Sequence, residues 1–392
     1  MRLQNSLTFD PADNTELWLD SVARVPAVFA VFPDSDANPH AAPYLGRTQD
    51  LHRRLARLLA SPRTSSKMLN LRQFARRIEY QPVGSTFEAQ WLMYLLNKLY
   101  YPRLYRQRLR LRPPAVLKVN LQNRFPRCYA TRRLISDGSL YFGPFPSRVA
   151  AERFAGEFLD LFKIRRCHEE LNPDPSHPGC IYSQMKMCLA PCFQGCTNDE
   201  YNQELRRVIA FLDTAGRPIL NDLEAERTRA SEALEFEQAA NTHRRIEKLQ
   251  EALRLRPDLV RNLRDLNAII ILPAAEAKSV VFFRVSGGEI EGPALLSLDE
   301  NVPSPIPLDQ RIRSVLEPLA TNSKAAPTQR GEPSLPSWEH LSLLARWYYS
   351  SFRQGELTPL NVDRQIPHTR LIRTCRKILS ARDPARSVAP NM

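Results

Sequence analysis

Four of the seven cysteines, Cys167, Cys180, Cys188 and Cys192, are separated by gaps of twelve, seven and three residues. Thiolates placed on two tight turns and one longer loop can converge on a single iron–sulfur cluster or a single zinc ion, and the spacing leaves both open. Cys196 follows closely. An odd total clustered in this way reads as a metal centre in a reducing compartment and not as a disulfide framework. Cys128 and Cys375 stand apart and read as separate buried thiols.

A second group of side chains could meet phosphate. Arg53, Arg54 and Arg57 lie between Leu51, Leu55, Leu58 and Leu59 at helical spacing, which predicts a helix with one apolar and one basic face. Over 106–112, Arg106, Arg108, Arg110 and Arg112 recur at every second position, and that period puts all four on one face of a strand. Tyr100, Tyr101 and Tyr105 stand beside them and could stack on bases. The competing reading is a solvated edge strand protected by its charges.

The whole chain supports a polyanionic partner. Among 392 residues, 55 Lys and Arg against 42 acids give a net charge of +13, so nucleic acid comes first. The length predicts two or three domains, and 43% hydrophobic residues exclude global disorder. No apolar run approaches the ~20 residues of a membrane helix. The first thirty residues lack the basic stretch and apolar core of a secretory signal. A cytoplasmic protein without a membrane partner is expected.

The elements that must position these groups can be read in order. The apolar stretch 25–32 predicts a strand, closed by a loop at Pro33, Asp34, Ser35 and Asp36, and 43–46 predicts a second strand. Ser85, Thr86, Phe87 and Glu88 open a helix carrying Trp91, Leu92, Leu95, Leu96 and Leu99, which Pro102 ends. Strands are expected at 115–119 and 127–131, and helices over 148–162 and 198–212. Pro218 suits the first turn of a further helix that breaks near Leu234, Glu235 and Phe236 and resumes to about 253, a helical hairpin. The stretches 268–273 and 279–285 are β-rich, 302–337 reads as a proline-rich linker, Ser337 caps a last helix, and the basic tail past 359 is expected to be loose.

Five motifs in one order over roughly 20–300 resemble the UvrC family of nucleotide-excision-repair endonuclease subunits. Pro26-Ala27-Val28-Phe29, then Tyr44-Leu45-Gly46-Arg47 and Asp50-Leu51-His52-Arg53-Arg54-Leu55, are similar to the GIY-YIG nuclease module. Tyr141-Phe142-Gly143-Pro144-Phe145-Pro146-Ser147 resembles a signature upstream of the family's cysteines. Leu161-Phe162-Lys163-Ile164-Arg165-Arg166-Cys167 and Met187-Cys188-Leu189-Ala190-Pro191-Cys192 follow, and Ala233-Leu234-Glu235-Phe236-Glu237-Gln238-Ala239-Ala240 resembles the core of the UVR motif.

The resemblance implies an α+β multidomain chain. Its parts would be a GIY-YIG-like α/β module (1–105), a β-rich connection (106–165), a cysteine segment (166–200) and a UVR hairpin (201–255). A short β-hairpin region resembling the lead-in to the family's C-terminal half (256–305), a linker (306–337), and a C-terminal helix with a basic tail (338–392) would follow. It implies a [4Fe–4S] cluster on Cys167, Cys180, Cys188 and Cys192, with zinc as the alternative and Cys196 and His168 spare. Double-stranded DNA would be contacted by Arg53, Arg57, Arg106, Arg108, Arg110 and Arg112. UvrB would be contacted by Leu234, Phe236, Ala239, Ala240 and Ile246, because two such hairpins can bury their apolar stripes together.

The nuclease module departs from its pattern. Such a site hydrolyses phosphodiesters with a divalent ion, a tyrosine, an arginine and a glutamate ligand. Tyr44 and Arg54 match the tyrosine and arginine, and Arg47 stands for a lysine. Phe29 lacks the first tyrosine's hydroxyl, Tyr105 replaces an asparagine, and Met93 occupies the glutamate's place. A thioether does not hold Mg²⁺, which wants oxygen, and Glu88, five residues away, is turned by about 140° around the helix. Residues after 300 are too few for the family's RNase H-like and helix-hairpin-helix modules. The expectation is a DNA- and UvrB-binding repair protein with a degenerate nuclease site, with Mg²⁺ needed only if cutting survives. The alternatives are an active single-incision endonuclease using another metal ligand, and a regulatory UVR-binding protein without DNA contact.

Overall fold

A computed structural model describes residues 3–12, 14–34, 41–60, 69–299, 306–321, 335–360 and 366–381. The fold is α+β, built on three four-stranded antiparallel sheets. Ser35 and Asp36 of the expected first loop, and much of the expected linker and tail, lie outside the described residues.

The first sheet orders its strands Asn5–Thr8, Arg77–Pro82, Ala27–Phe32 and Tyr44–Thr48. Alternation along Ala27–Phe32 sends Ala27, Phe29 and Val31 to one face, where the Leu51–Leu59 helix covers them with Leu51, Leu55 and Leu58. Val28 and Ala30 face the other way, against Ala89, Leu92 and Leu96 of the Thr86–Tyr100 helix. Asp50 and Ser85 cap these helices, accepting from the backbone N–H of Arg53 (2.9 Å) and Glu88 (3.1 Å).

The second sheet orders Cys128–Thr131, Ala115–Val119, Leu140–Phe145 and the two-residue strand Arg261–Asn262. The Arg148–Leu159 and Asn198–Thr214 helices bury Phe154, Phe158, Phe211 and Leu212 against it. The helical hairpin follows as Arg217–Glu232 and Phe236–Arg254, broken as expected, with Leu234 in the left-handed region at φ 59°. Its roots insert Leu223, Ile246, Leu249 and Ala252 into the same core.

The third sheet orders Glu289–Ser297, Ser279–Ser286, Ala268–Pro273 and Glu356–Pro359. The Trp338–Tyr348 helix covers one face with Leu341, Leu344 and Trp347. Two helices cover the other face, Leu308–Thr321 with Ile312 and Leu316, and His368–Ser380 with Leu371 and Cys375. Both helices correct the sequence reading. The expected linker contains an amphipathic helix, because Ile312, Val315, Leu316 and Leu319 recur at three- and four-residue spacing. The expected loose tail contributes Leu371, Thr374, Cys375 and Ile378 to one buried face.

The arginine strand at 106–112 is also corrected. Tyr105–Arg108 is one helical turn, and Arg110 then takes a left-handed conformation at φ 49°. Leu109 and Leu111 pack into the aromatic cluster that joins the first and third sheets, and the helical turn with the left-handed Arg110 brings them there.

Candidate functional site

The nuclease-like constellation is only partly assembled. Arg54 Nη2 donates to the Tyr44 hydroxyl at 3.0 Å, so the matched tyrosine and arginine do meet. Phe29 is fully buried, with its ring centroid 6.2 Å from that of Tyr44. Gly46 lies opposite Phe29 in the sheet, and a Cβ there would come within 2.4 Å of the ring. Met93 packs on the other face, among Val28, Ala30, Leu45, Ala89, Leu92 and Leu96. The sheet therefore stands between Met93 and the Tyr44–Arg54 pair. Among the described residues Arg54 forms no ion pair with a carboxylate.

Glu88 is buried and already employed. It accepts from the Gly84 N–H at 2.9 Å and, with Ser85, closes the first turn of its helix. Arg47 points away from Tyr44, into a cleft of about 830 Å³ between the first and third sheets that also takes in Gly84, Gln354 and Lys377. The two sheets approach closely there, since a Cβ on Gly84 would sit 2.1 Å from the Ala274 backbone.

Tyr105 has a role that sequence reasoning missed. Its hydroxyl donates to Glu339 Oε1 at 2.6 Å, Tyr94 donates to Glu339 Oε2 at 2.8 Å, and Arg106 Nε donates to Oε1 at 2.7 Å. Glu339, 3% exposed, lies in the Trp338–Tyr348 helix, so these bonds tie the first module to the third sheet. Burial alone would raise its carboxyl, but the bonds from Tyr105, Tyr94 and Arg106 outweigh that and hold it below the usual carboxylate range. A lone Glu in a C-terminal helix carries no sequence signal that would reveal these partners.

The proposed DNA-facing arginines separate into two groups. Arg53 and Arg57 are exposed on one helix face, four residues apart. Arg106 is held by Glu339, and Arg108 donates to Asn97 Oδ1 at 2.9 Å with its guanidinium 3.9 Å from the Tyr101 ring centroid. The Arg110 carbonyl accepts from Arg346. Arg112 is exposed. The four are not a single face.

The cysteine segment is turn-rich. Cys180 caps the Ile181–Gln184 turn, Cys188 Sγ accepts from the Ala190 N–H at 3.3 Å, and Cys192 is buried in the turn Pro191–Phe193. Burial raises the Cys188 thiol to about 11, and Cys167, Cys180 and Cys192 are all close enough to add to the rise. Cys167 is likewise raised by burial and by Cys180 and Cys192, against the pull of Arg165. Cys167 and Cys188 thus each feel the other thiols of the set, whereas Cys196 is raised by burial, Glu200 and Cys192. His168 meets Arg127. Among the described residues no three His, Cys, Asp or Glu side chains are gathered tightly enough to grip an ion as they stand. The donor set of this segment is sulfur, the ligand type that iron–sulfur clusters and zinc take. Cys128 and Cys375 are isolated, both raised to about 12 by burial.

At the hairpin tip Leu234 and Phe236 are 71% and 68% exposed beside a hollow of about 670 Å³. Thr242 and Arg245 hold Glu226 across the helices, at 3.1 and 3.5 Å. Ala240 is exposed and Ala239 half-buried, but Ile246 is 3% exposed within the chain's own core. Ile246 therefore leaves the expected partner-facing set: it secures the hairpin root.

Residues 115–211, which span the second sheet's first three strands, the cysteine segment and most of the Asn198–Thr214 helix, match the family model of the UvrC/Cho excinuclease middle domain. The resemblance to UvrC extends beyond it. The chain is 28% identical over 280 residues to the UvrABC system protein C of Ruminiclostridium cellulolyticum, covering 70% of this chain and 45% of that one. It is 28% identical over 250 residues to the protein of the same name in Carboxydothermus hydrogenoformans, covering 64% and 41%. With that of Mannheimia succiniciproducens it shares 30% identity over 241 residues, covering 61% and 39%. The chain spans less than half the length of these curated relatives. No solved structure matches it. Among the described residues no helix is long and apolar enough to cross a membrane.

Proposed function

We propose that this chain is a nucleotide-excision-repair protein of the UvrC kind that binds duplex DNA and UvrB without cutting. The match of residues 115–211 to the UvrC/Cho middle domain carries the reading. The first module serves in it as a GIY-YIG-like DNA-binding platform whose exposed Arg53 and Arg57 meet phosphates. Its remnant pair, Tyr44 and Arg54, could polarise a phosphate, but Met93 lies across the sheet from the pair and its thioether offers no ligand to Mg²⁺. The proposed cluster-holding residues are Cys167, Cys180, Cys188 and Cys192, with [4Fe–4S] favoured over zinc. When bound, such a cluster supplies a redox-sensitive structural centre. The cysteine loops carry the donors, of which Cys192 is buried and Cys167, Cys180 and Cys188 are half-buried.

The hairpin is read as a UVR module. Exposed Leu234 and Phe236 at a charged tip suit burial against a matching hairpin of UvrB. Phe236→Ala should weaken that contact by about 2–4 kcal/mol if the ring is a central anchor, or roughly 30- to 1000-fold. Unchanged UvrB capture by the variant would move the anchor elsewhere. One observation favours the active-endonuclease alternative: the 3.0 Å Arg54–Tyr44 bond keeps two catalytic groups in contact. A nicking assay on damaged duplex with UvrB and Mg²⁺ decides between the two. The platform reading expects no nick, whereas a nick abolished by Tyr44→Phe would establish the enzyme.

A further inference from the structure

Two arginines beyond the hairpin are held half-buried without an acidic partner. Arg256 follows the Phe236–Arg254 helix, and Arg261 opens the two-residue strand that pairs with Gly143 in the second sheet. The Nε atoms of both are buried and without a hydrogen-bond partner. Arg256 Nη2 donates to the Val260 carbonyl and Arg261 Nη2 donates to the Asp258 carbonyl at 3.1 Å, so both guanidiniums are fixed in place by backbone. Among the described residues neither forms an ion pair with a carboxylate. Asp258, the acid that attracts both, is exposed.

The surroundings compound the cost. Burial, then the Arg261 and Arg217 guanidiniums, lower Arg256 to about 10, and burial lowers Arg261 as well. Two tyrosines close the site: Tyr348 neighbours Arg261 and Tyr349 neighbours Arg256, with their rings 5.1 Å apart. Tyr349 donates its hydroxyl to the Pro144 carbonyl at 2.7 Å, and Arg353 lies 4.7 Å from the Tyr348 ring centroid. Like charges taken partly out of water are costly unless an anion joins them. The buried, unpartnered Nε donors add to that cost, although a ligand could reach them only after the side chains shift. The planar guanidinium fork matches the oxygens of a phosphate, and adjacent aromatic faces suit the sugar or base attached to it.

We propose that Arg256 and Arg261, rimmed by Arg217 and walled by Tyr348 and Tyr349, form a binding site for a phosphate group where the hairpin, the second sheet and the Trp338–Tyr348 helix meet. The source is either a phosphodiester of a nucleic-acid strand or a free phosphate compound. The first of these rests on the DNA-binding reading above.

The test uses the full chain and the double variant Arg256→Gln/Arg261→Gln. Inorganic phosphate, at constant ionic strength against chloride, should raise the thermal midpoint of the wild type and leave that of the variant unmoved. No rise in the wild type, or an equal rise in both, overturns the site. In case the variant fails to fold, the wild type alone can be tested: phosphate should slow phenylglyoxal modification of Arg256 and Arg261 several-fold, and equal rates in phosphate and chloride overturn the site.

A labelled duplex identifies the source. If the ligand is backbone, the variant should lose about one from the log–log salt slope of binding, because the pair grips a single phosphate. An unchanged slope beside a phosphate-specific midpoint shift assigns the site to a free phosphate compound. A wild type that binds no duplex yet shows that shift sinks the DNA-binding reading and leaves this site standing.

Discussion

Replacing Glu339 by alanine should loosen the first module from the third sheet. Tyr94 and Tyr105, both nearly buried, would lose the carboxylate that accepts from them, and a stranded buried donor costs about 1–3 kcal/mol. Arg106 is 58% exposed along its side chain and would rehydrate, so its share is at most about 1 kcal/mol. Removing a buried carboxylate returns part of its desolvation cost. The net loss should be about 2–4 kcal/mol, read from urea unfolding followed by tyrosine signals. Glu339→Gln keeps one acceptor oxygen and should lose about half as much. The pH dependence has a fixed sign. A carboxyl held below its unfolded value of about 4.3 contributes stability above that pH and loses it as pH falls through the folded value. The gap between wild type and Glu339→Gln should therefore be full at neutral pH and close in acid. Alanine within about 0.5 kcal/mol of wild type, or alanine and glutamine alike, would refute the argument.

Three further expectations concern packing. Gly46→Ala should destabilise by about 1–3 kcal/mol because its methyl meets the Phe29 ring, and Phe29→Leu in the same chain should recover part of that loss. Ile246→Ala should cost about 2–5 kcal/mol in unfolding while Phe236→Ala stays within about 0.5, since one is core and the other exposed; similar losses would show the hairpin faces are misassigned. Leu371→Ala should cost about 2–5 kcal/mol, and a negligible change would mean that the His368–Ser380 helix is not docked on its sheet.

The elements legible in the sequence were those whose signals are local. The break at Leu234 follows from one helix starting at a proline and another restarting after a short turn, and the strand Ala27–Phe32 is a β-branched, aromatic run. The arginine period at 106–112 misled because alternation does not distinguish a strand from a turn whose leucines are claimed by a distant aromatic cluster. The helix Leu308–Thr321 was hidden by prolines on either side and by Pro318 within it, which masked its apolar stripe Ile312, Val315, Leu316 and Leu319. The strand Arg77–Pro82 sits at the sheet's centre yet carries Arg77 and Glu79, polar residues that weaken a hydrophobic reading. The meeting of Tyr44 and Arg54 was foreseeable from motif order. The Glu339 contacts and the Arg256–Arg261 pair were not, because both depend on how separate units pack.

Because Phe142 and Gly143 pair with Asn262 and Arg261, the chain leaves the second sheet and later re-enters it beside the same strand, with the whole hairpin lying between. The projection is thus rooted like a handle, at two points of one rigid plate. A tug at its apex would load neighbouring strands together instead of peeling a terminus. Lengthening both arms by matched whole turns would carry the apex outward while leaving the plate, and the cysteine loops beside it, undisturbed.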